Sequence, residues 1–289
     1  MKNVTVTICL MVAVLFMAAG QGFGRIDFAD GQTHNISSVI DATVYVDYQA
    51  PGMQTTVNLP NGGYIPSPYT LAGYTNGRIN ISGGTVYELY TNNSSQVTMS
   101  SGAVTNLHAN DTSLVTMSGG TVSGYLDAGH YSHVTMFGGA VDYLLANNWS
   151  YVTMSGGTVG DLYAQSTSQV TMSGGAVGAD LSVVGSSHVT VSGGTIGGQI
   201  KVIAQAILTI DGSSFAINGT PFTSGEIKSI LGGTYNFEPY RTLTGTLANG
   251  NTINNQFRIG DDASIVLVPE PTTLLSLSLG LCLIRRFRR

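Results

Sequence analysis

The chain has 289 residues, of which only 9% are charged and 38 are glycine. That is far less charge than an ordinary enzyme domain carries, while 43% apolar residues exclude a disordered chain. From 21 to 271 there are six bases against 16 acids, a net of −10, and no Lys or Arg occurs from Ile79 to Ile200, so a nucleic-acid partner is excluded.

Residues 1–20 read as a signal peptide. Lys2 supplies the positive start, Ile8 to Phe16 the apolar run, and Ala18-Ala19-Gly20 the small residues that a signal peptidase requires. Cys9 and Cys282, the two cysteines, both lie in apolar terminal segments. The body between them therefore has neither a disulfide nor a thiolate metal site.

Residues 21–55 are expected to form an N-terminal cap, and 56–212 a run of repeats. SQVTMSSG (95–102), SLVTMSGG (113–120), SHVTMFGG (132–139), SYVTMSGG (150–157), SQVTMSGG (168–175) and SHVTVSGG (187–194) follow a looser GRINISGG (77–84). The first position of each glycine pair falls at 83, 101, 119, 138, 156, 174 and 193, which gives a period of 18 or 19. Short fixed periods of this size specify a solenoid.

Val97, Val115, Val134, Val152, Val170 and Val189 form one column; Met99, Met117, Met136, Met154, Met172 and Val191 form the next, two residues on. A step of two is the strand period, so both columns face inward. A third column runs through Val86, Val104, Val122, Val141, Val159, Val177 and Ile196, followed by a Leu-x-Ala strand such as Leu162/Ala164. The nineteenth residue always falls between those two, at Ser123-Gly124, Gly178-Ala179 and Gly197-Gly198. Turns accept such insertions and paired strands do not.

The pattern predicts an all-β, three-sided, single-stranded parallel β-helix, a β-solenoid of about nine 18–19-residue coils with irregular β caps. Thr56-Val57-Asn58-Leu59 reads as the entry coil and Leu208-Thr209-Ile210 as the exit coil. Residues 213–267 are expected to form a C-terminal β-rich cap, because the last coil of a solenoid exposes a sheet edge.

Residues 268–289 are a separate address. Val268, Pro269, Glu270 and Pro271 precede an apolar run from Thr272 to Ile284, and Arg285, Arg286, Arg288 and Arg289 follow it. The run would span about 20 Å as a helix, short against a hydrocarbon core of about 30 Å. The arginines would act as a membrane stop on the cytoplasmic side. The two prolines predict an extended, unpaired segment open to a protease. In order and spacing this tail resembles the PEP-CTERM sorting signal. That resemblance implies recognition and cleavage near the motif by an exosortase-like membrane peptidase, in an exopolysaccharide-producing host of Gram-negative type. An extracellular polysaccharide is then a candidate partner.

No catalytic, cofactor or metal residues are assigned. The acids of the coils are Glu88, Asp111, Asp127, Asp142, Asp161 and Asp180; only Glu88, Asp161 and Asp180 share a column, just before the Leu, with two uncharged coils and more between the first and the others, and the coils hold no cationic base. Of His108, His130, His133 and His188, only His133 and His188 share a column, three coils apart. The remaining candidates are outward surfaces: the threonines Thr98, Thr116, Thr135, Thr153, Thr171 and Thr190, and the rings of Tyr90, Tyr143, Trp149, Tyr151 and Tyr163, which offer stacking area for sugars. The expected function is that of an exported, non-catalytic structural or adhesive protein of the cell surface or matrix. Glycan binding or processing is the alternative.

Overall fold

The computed structural model describes residues 24–50, 52–230, 239–260 and 262–269. Among them there is no helix, and stacked parallel strands form a β-solenoid of about ten turns. Tyr151–Met154 shows the rule. It pairs in parallel with 133–136 on one side and Gln169–Met172 on the other, with Val152 opposite Val134 and Val170, and Met154 opposite Met136 and Met172. Like therefore stacks on like, and the inward Val, Met, Leu and Ala columns are at most 2% exposed.

Three corners shape each coil. The first is the glycine pair. A Cβ on Gly156 would lie 2.3 Å from the Phe137 carbonyl oxygen of the preceding coil, and Gly157 has φ +82°. One glycine answers close approach and the other a left-handed backbone. The second corner absorbs the extra residue. Val122 pairs with Val141, an offset of 19, while Tyr125 pairs with Tyr143, an offset of 18. Likewise Val159 pairs with Val177 but Leu162 with Leu181.

The third corner is a reverse turn closed, in one coil, by Ser150 N–H donating to the Asn147 carbonyl at 3.1 Å. Its second residue is left-handed in every regular coil: Asn93, Asp111, His130, Asn148 and Ser166 have φ of 50–58°. Asn, Asp and His tolerate that region best. The serine closing each turn (Ser95, Ser113, Ser132, Ser150, Ser168 and Ser187) is fully buried, a polar column inside the rod.

Neither end is a regular coil. Within the 21–55 span expected to cap the front, the described residues 24–50 and 52–55 supply another, irregular coil. Arg25–Phe28 pairs in parallel with Thr43–Val46, which pairs with 71–73, and Thr33–Asn35 pairs with Thr56–Leu59. Its offsets of 18, 27 and 23 on these ladders, and the lack of a matching glycine pair, hide it from a search for an 18-residue period. The edge it leaves is short and charged: the Arg25 guanidinium lies 4.6 Å from the Tyr45 ring centroid and pairs with Asp27. Such features blunt edge-to-edge pairing.

At the back, the chain leaves the rod within Ile207–Ile217 and returns for one more rung. Thr252–Ile259 stacks Phe257 and Ile259 on Ile200 and Val202, and Ser264–Pro269 stacks Ile265 and Leu267 on Leu208 and Ile210. Antiparallel strands then cover that rung. Arg241–Leu247 lies along Thr252–Ile259, and Gly225–Lys228 along Ser264–Pro269. The expected β-rich back cap is thus a final coil with its own edge cover.

Candidate functional site

The expected sorting motif, Val268 to Pro271, divides at the boundary of the described residues. Val268 pairs with Asp211 and Pro269 with Gly212 at the end of Ser264–Pro269, and both are half-buried. The expectation of an unpaired segment is therefore corrected for these two residues. Proline fits there because Gly225–Lys228 stops opposite Leu267, leaving no partner for a Pro269 N–H on that edge. The expected signal peptide over 1–20, Glu270, Pro271, and the expected membrane stop of Arg285, Arg286, Arg288 and Arg289 lie outside the described residues.

The threonine column stands in register from Thr98 through Thr116, Thr135, Thr153, Thr171 and Thr190 to Thr209. Towards the front it continues as an amide ladder: Asn80 Nδ2 donates to Asn58 Oδ1, and Asn58 Nδ2 to Asn35 Oδ1, each at 2.9 Å. A shallow depression of about 360 Å³ lies beside it, lined by Thr56, Arg78, Asn80, Gln96 and Thr98. The flanking column is not flat. It carries Gln96, Leu114, His133, Tyr151, Gln169 and His188, and Phe137 projects at the other side, 61% exposed. These side chains interrupt the evenness of the hydroxyl column.

Three of the six coil acids accept from backbone N–H groups. Asp161 Oδ1 accepts from the Asp180 N–H at 3.0 Å, and Asp180 Oδ1 accepts from the Gln199 N–H at 2.8 Å. Lys201 Nζ donates to Asp180 Oδ2 at 2.5 Å. Burial pushes the Asp180 carboxyl up, but Lys201 and the Gln199 N–H outweigh it and hold the group below the usual aspartate range. These acids satisfy N–H groups freed at the variable corner. Asp111 does the same at the reverse turn, accepting from the Asn93 N–H at 3.0 Å.

Glu88 and His108 come together, a pairing the sequence reading did not make. Glu88 Oε1 accepts from Asn106 Nδ2 at 2.7 Å, and Oε2 lies 3.3 Å from His108 Nε2. That approach meets the ion-pair distance but is too poorly angled for a hydrogen bond, leaving both atoms buried without one among the described residues. His108 stacks on Tyr90 at 4.4 Å and meets Tyr125 edge-on at 5.1 Å. Burial, then the Glu88 charge, raises the pKa of the Tyr90 and Tyr125 hydroxyls. Offsets of 18 and 19 place Tyr90, His108 and Asp127 in one column, which sequence alignment of the Leu-x-Ala strands would have shown.

The rings gather at the reverse turn. Tyr131 stacks on Trp149 at 5.4 Å, and His133 on Tyr151 at 4.9 Å. Tyr131 was not among the expected ring residues. Aligning GHYSH with NNWSY on the buried serine would have found it. Tyr143 and Tyr163 are exposed on the Leu-x-Ala face. Among the described residues no group of three His, Cys, Asp or Glu side chains is placed to hold a metal ion.

The class that the fold defines is a parallel β-solenoid whose candidate sites are repeated outward columns. No protein-family model, curated protein or solved structure matches this chain.

Proposed function

We propose that this chain is an exported, non-catalytic structural or adhesive protein of the cell surface or extracellular matrix, sorted by its C-terminal Pro-Glu-Pro tail. The observation that carries this reading is the form of the surface. One outward threonine recurs in register over seven successive coils, from Thr98 to Thr209, roughly 4.8 Å apart, on a rod whose back edge is covered by its own antiparallel strands. Such a rod presents one contact many times, which suits adhesion to an extended partner.

The tail adds the route. A signal peptidase would remove 1–20, the membrane would hold the apolar run, and an exosortase-like peptidase would cut beyond the last strand. Pairing of Val268 and Pro269 in the sheet favours a cut on the C-terminal side of Pro269, since a protease needs an extended segment free of partners.

The test is made in the native host with the full-length chain carrying an epitope at the exposed 218–220 turn. Antibody labelling of intact cells, or recovery from the matrix, is the expected result. Labelling only after lysis would overturn the surface reading. Mass spectrometry of the mature C-terminus tests the cut: an end at Arg289 would sink cleavage and leave a retained membrane tail.

A further inference from the structure

At the third corner, two outward positions flank the buried serine. In most coils they hold short or aliphatic or polar side chains, such as Thr112 and Leu114, or Thr167 and Gln169. In two successive coils they hold rings: Tyr131 and His133, then Trp149 and Tyr151. The planes within each stack are 11° and 12° apart. Tyr131 and Trp149 remain 52% exposed and Tyr151 39%.

A ring stack that served only to hold coils together would be continued or covered at its ends. Here the next residue above Trp149 is Thr167 and the next below Tyr131 is Thr112, both exposed. A threonine is too small to cover an indole, so the outer faces of Trp149 and Tyr131 are open. The coil that follows Trp149 carries Ser166, Thr167 and Gln169 at this corner, which bring hydroxyl and amide groups and no charge.

We propose that this ledge binds a neutral polysaccharide, with a sugar ring seated on Trp149 and its hydroxyls taken by Thr167 and Gln169. A pyranose has an apolar C–H face and a rim of hydroxyls, and an indole ringed by amides and hydroxyls matches both. Trp and Tyr give this contact area at small entropic cost, more so on a rigid turn. Charge sets the class of glycan. The body is acidic and carries no Lys or Arg from Ile79 to Ile200, so a polyanionic chain is repelled. The site deepens the adhesive reading above and rests on it.

Trp149 is the single tryptophan of the chain, so its emission reports this ledge alone. The full-length chain, in a zwitterionic detergent that carries no sugar, is titrated with cellohexaose, laminarihexaose and xylohexaose, and with polygalacturonate as the anionic control. The expected result is a saturable change with at least one neutral hexasaccharide and none with polygalacturonate. Trp149→Thr places at the turn the residue that the following coil already has, so the circular-dichroism spectrum should be unchanged. It should weaken calorimetric binding about tenfold or more. Failure of all three neutral hexasaccharides to bind, or equal binding by Trp149→Thr, overturns the proposal. So does concentration-dependent dimerisation abolished by Trp149→Thr, which would give the ledge to a second copy. None of these outcomes bears on antibody access in intact cells, so the surface reading fails or stands separately.

Discussion

Gly156 and Gly157 carry different loads, and alanine at each position separates them. Gly156 has an ordinary φ, but its Cβ would lie 2.3 Å from the Phe137 carbonyl oxygen. Relief needs about 1 Å of movement between coils held by ladder hydrogen bonds, and overpacking of that kind costs about 1–3 kcal/mol, occasionally more. Gly157 adds φ +82° to contacts of 2.8 Å with the Gly139 oxygen and 2.9 Å with the Gly138 carbonyl carbon. A left-handed alanine costs about 1–2 kcal/mol on its own. Gly250 supplies the control, with φ +89° and nothing within 4 Å of its Cβ. We expect Gly250→Ala to cost about 1 kcal/mol, Gly156→Ala about 3 and Gly157→Ala about 4. Urea unfolding of the full-length chain followed by far-ultraviolet circular dichroism gives the order. Hydrogen exchange should place the loss in coils 133–175, because solenoid coils couple to their neighbours. A Gly156→Ala protein within about 0.5 kcal/mol of wild type would refute the close-approach argument. Gly250→Ala costing as much as Gly157→Ala would refute the separation of the two loads.

Val152→Asp should destabilise by several kcal/mol, since Val134, Val170 and Met154 offer an ionised carboxylate no partner; a urea midpoint close to wild type would count against the closed core. The buried serines should divide. The Ser187 hydroxyl lies 2.8 Å from the Val184 carbonyl and 3.0 Å from that of Ala164, so Ser187→Ala should cost about 1 kcal/mol. Ser150 Oγ has no such partner among the described residues, so Ser150→Ala should be neutral or stabilising, and equal losses at both sites would contradict this. The Asp180–Lys201 pair sets a pH dependence. A depressed folded pKa contributes stability that is present above the unfolded aspartate pKa of about 3.9 and is lost as pH falls through the folded value. Lys201→Met should raise the Asp180 pKa in a carboxyl NMR titration and flatten the acid limb of stability; an unmoved titration would show that the pair is not coupled.

The coil core was legible because each inward residue meets a copy of itself at a fixed offset. Val152 and Met154 announce their neighbours simply by recurring, and Ser123-Gly124 marks a corner because an extra residue is tolerated there. The surfaces were less legible. The threonine column could be named, but its worth as a flat lattice depended on Leu114, His133, Tyr151 and Phe137 beside it. The Tyr131–Trp149 stack and the Glu88–His108 approach arise between unlike residues, and a search for identity passes over such pairs.

Sequence by itself determined the solenoid, its inward columns, the site of its insertions and the −10 charge of its body, since all of these are periodic or additive. Tertiary structure decided the ends. The front coil of Arg25–Phe28 and Thr33–Asn35 is joined to its neighbours at offsets of 18 and 23, and the last rung joins Ile207 to Ser264 at an offset of 57. No local period reports a contact made after so long an excursion; these strands join the rod in parallel, and at the back the antiparallel strands then cover the edge that the last rung exposes.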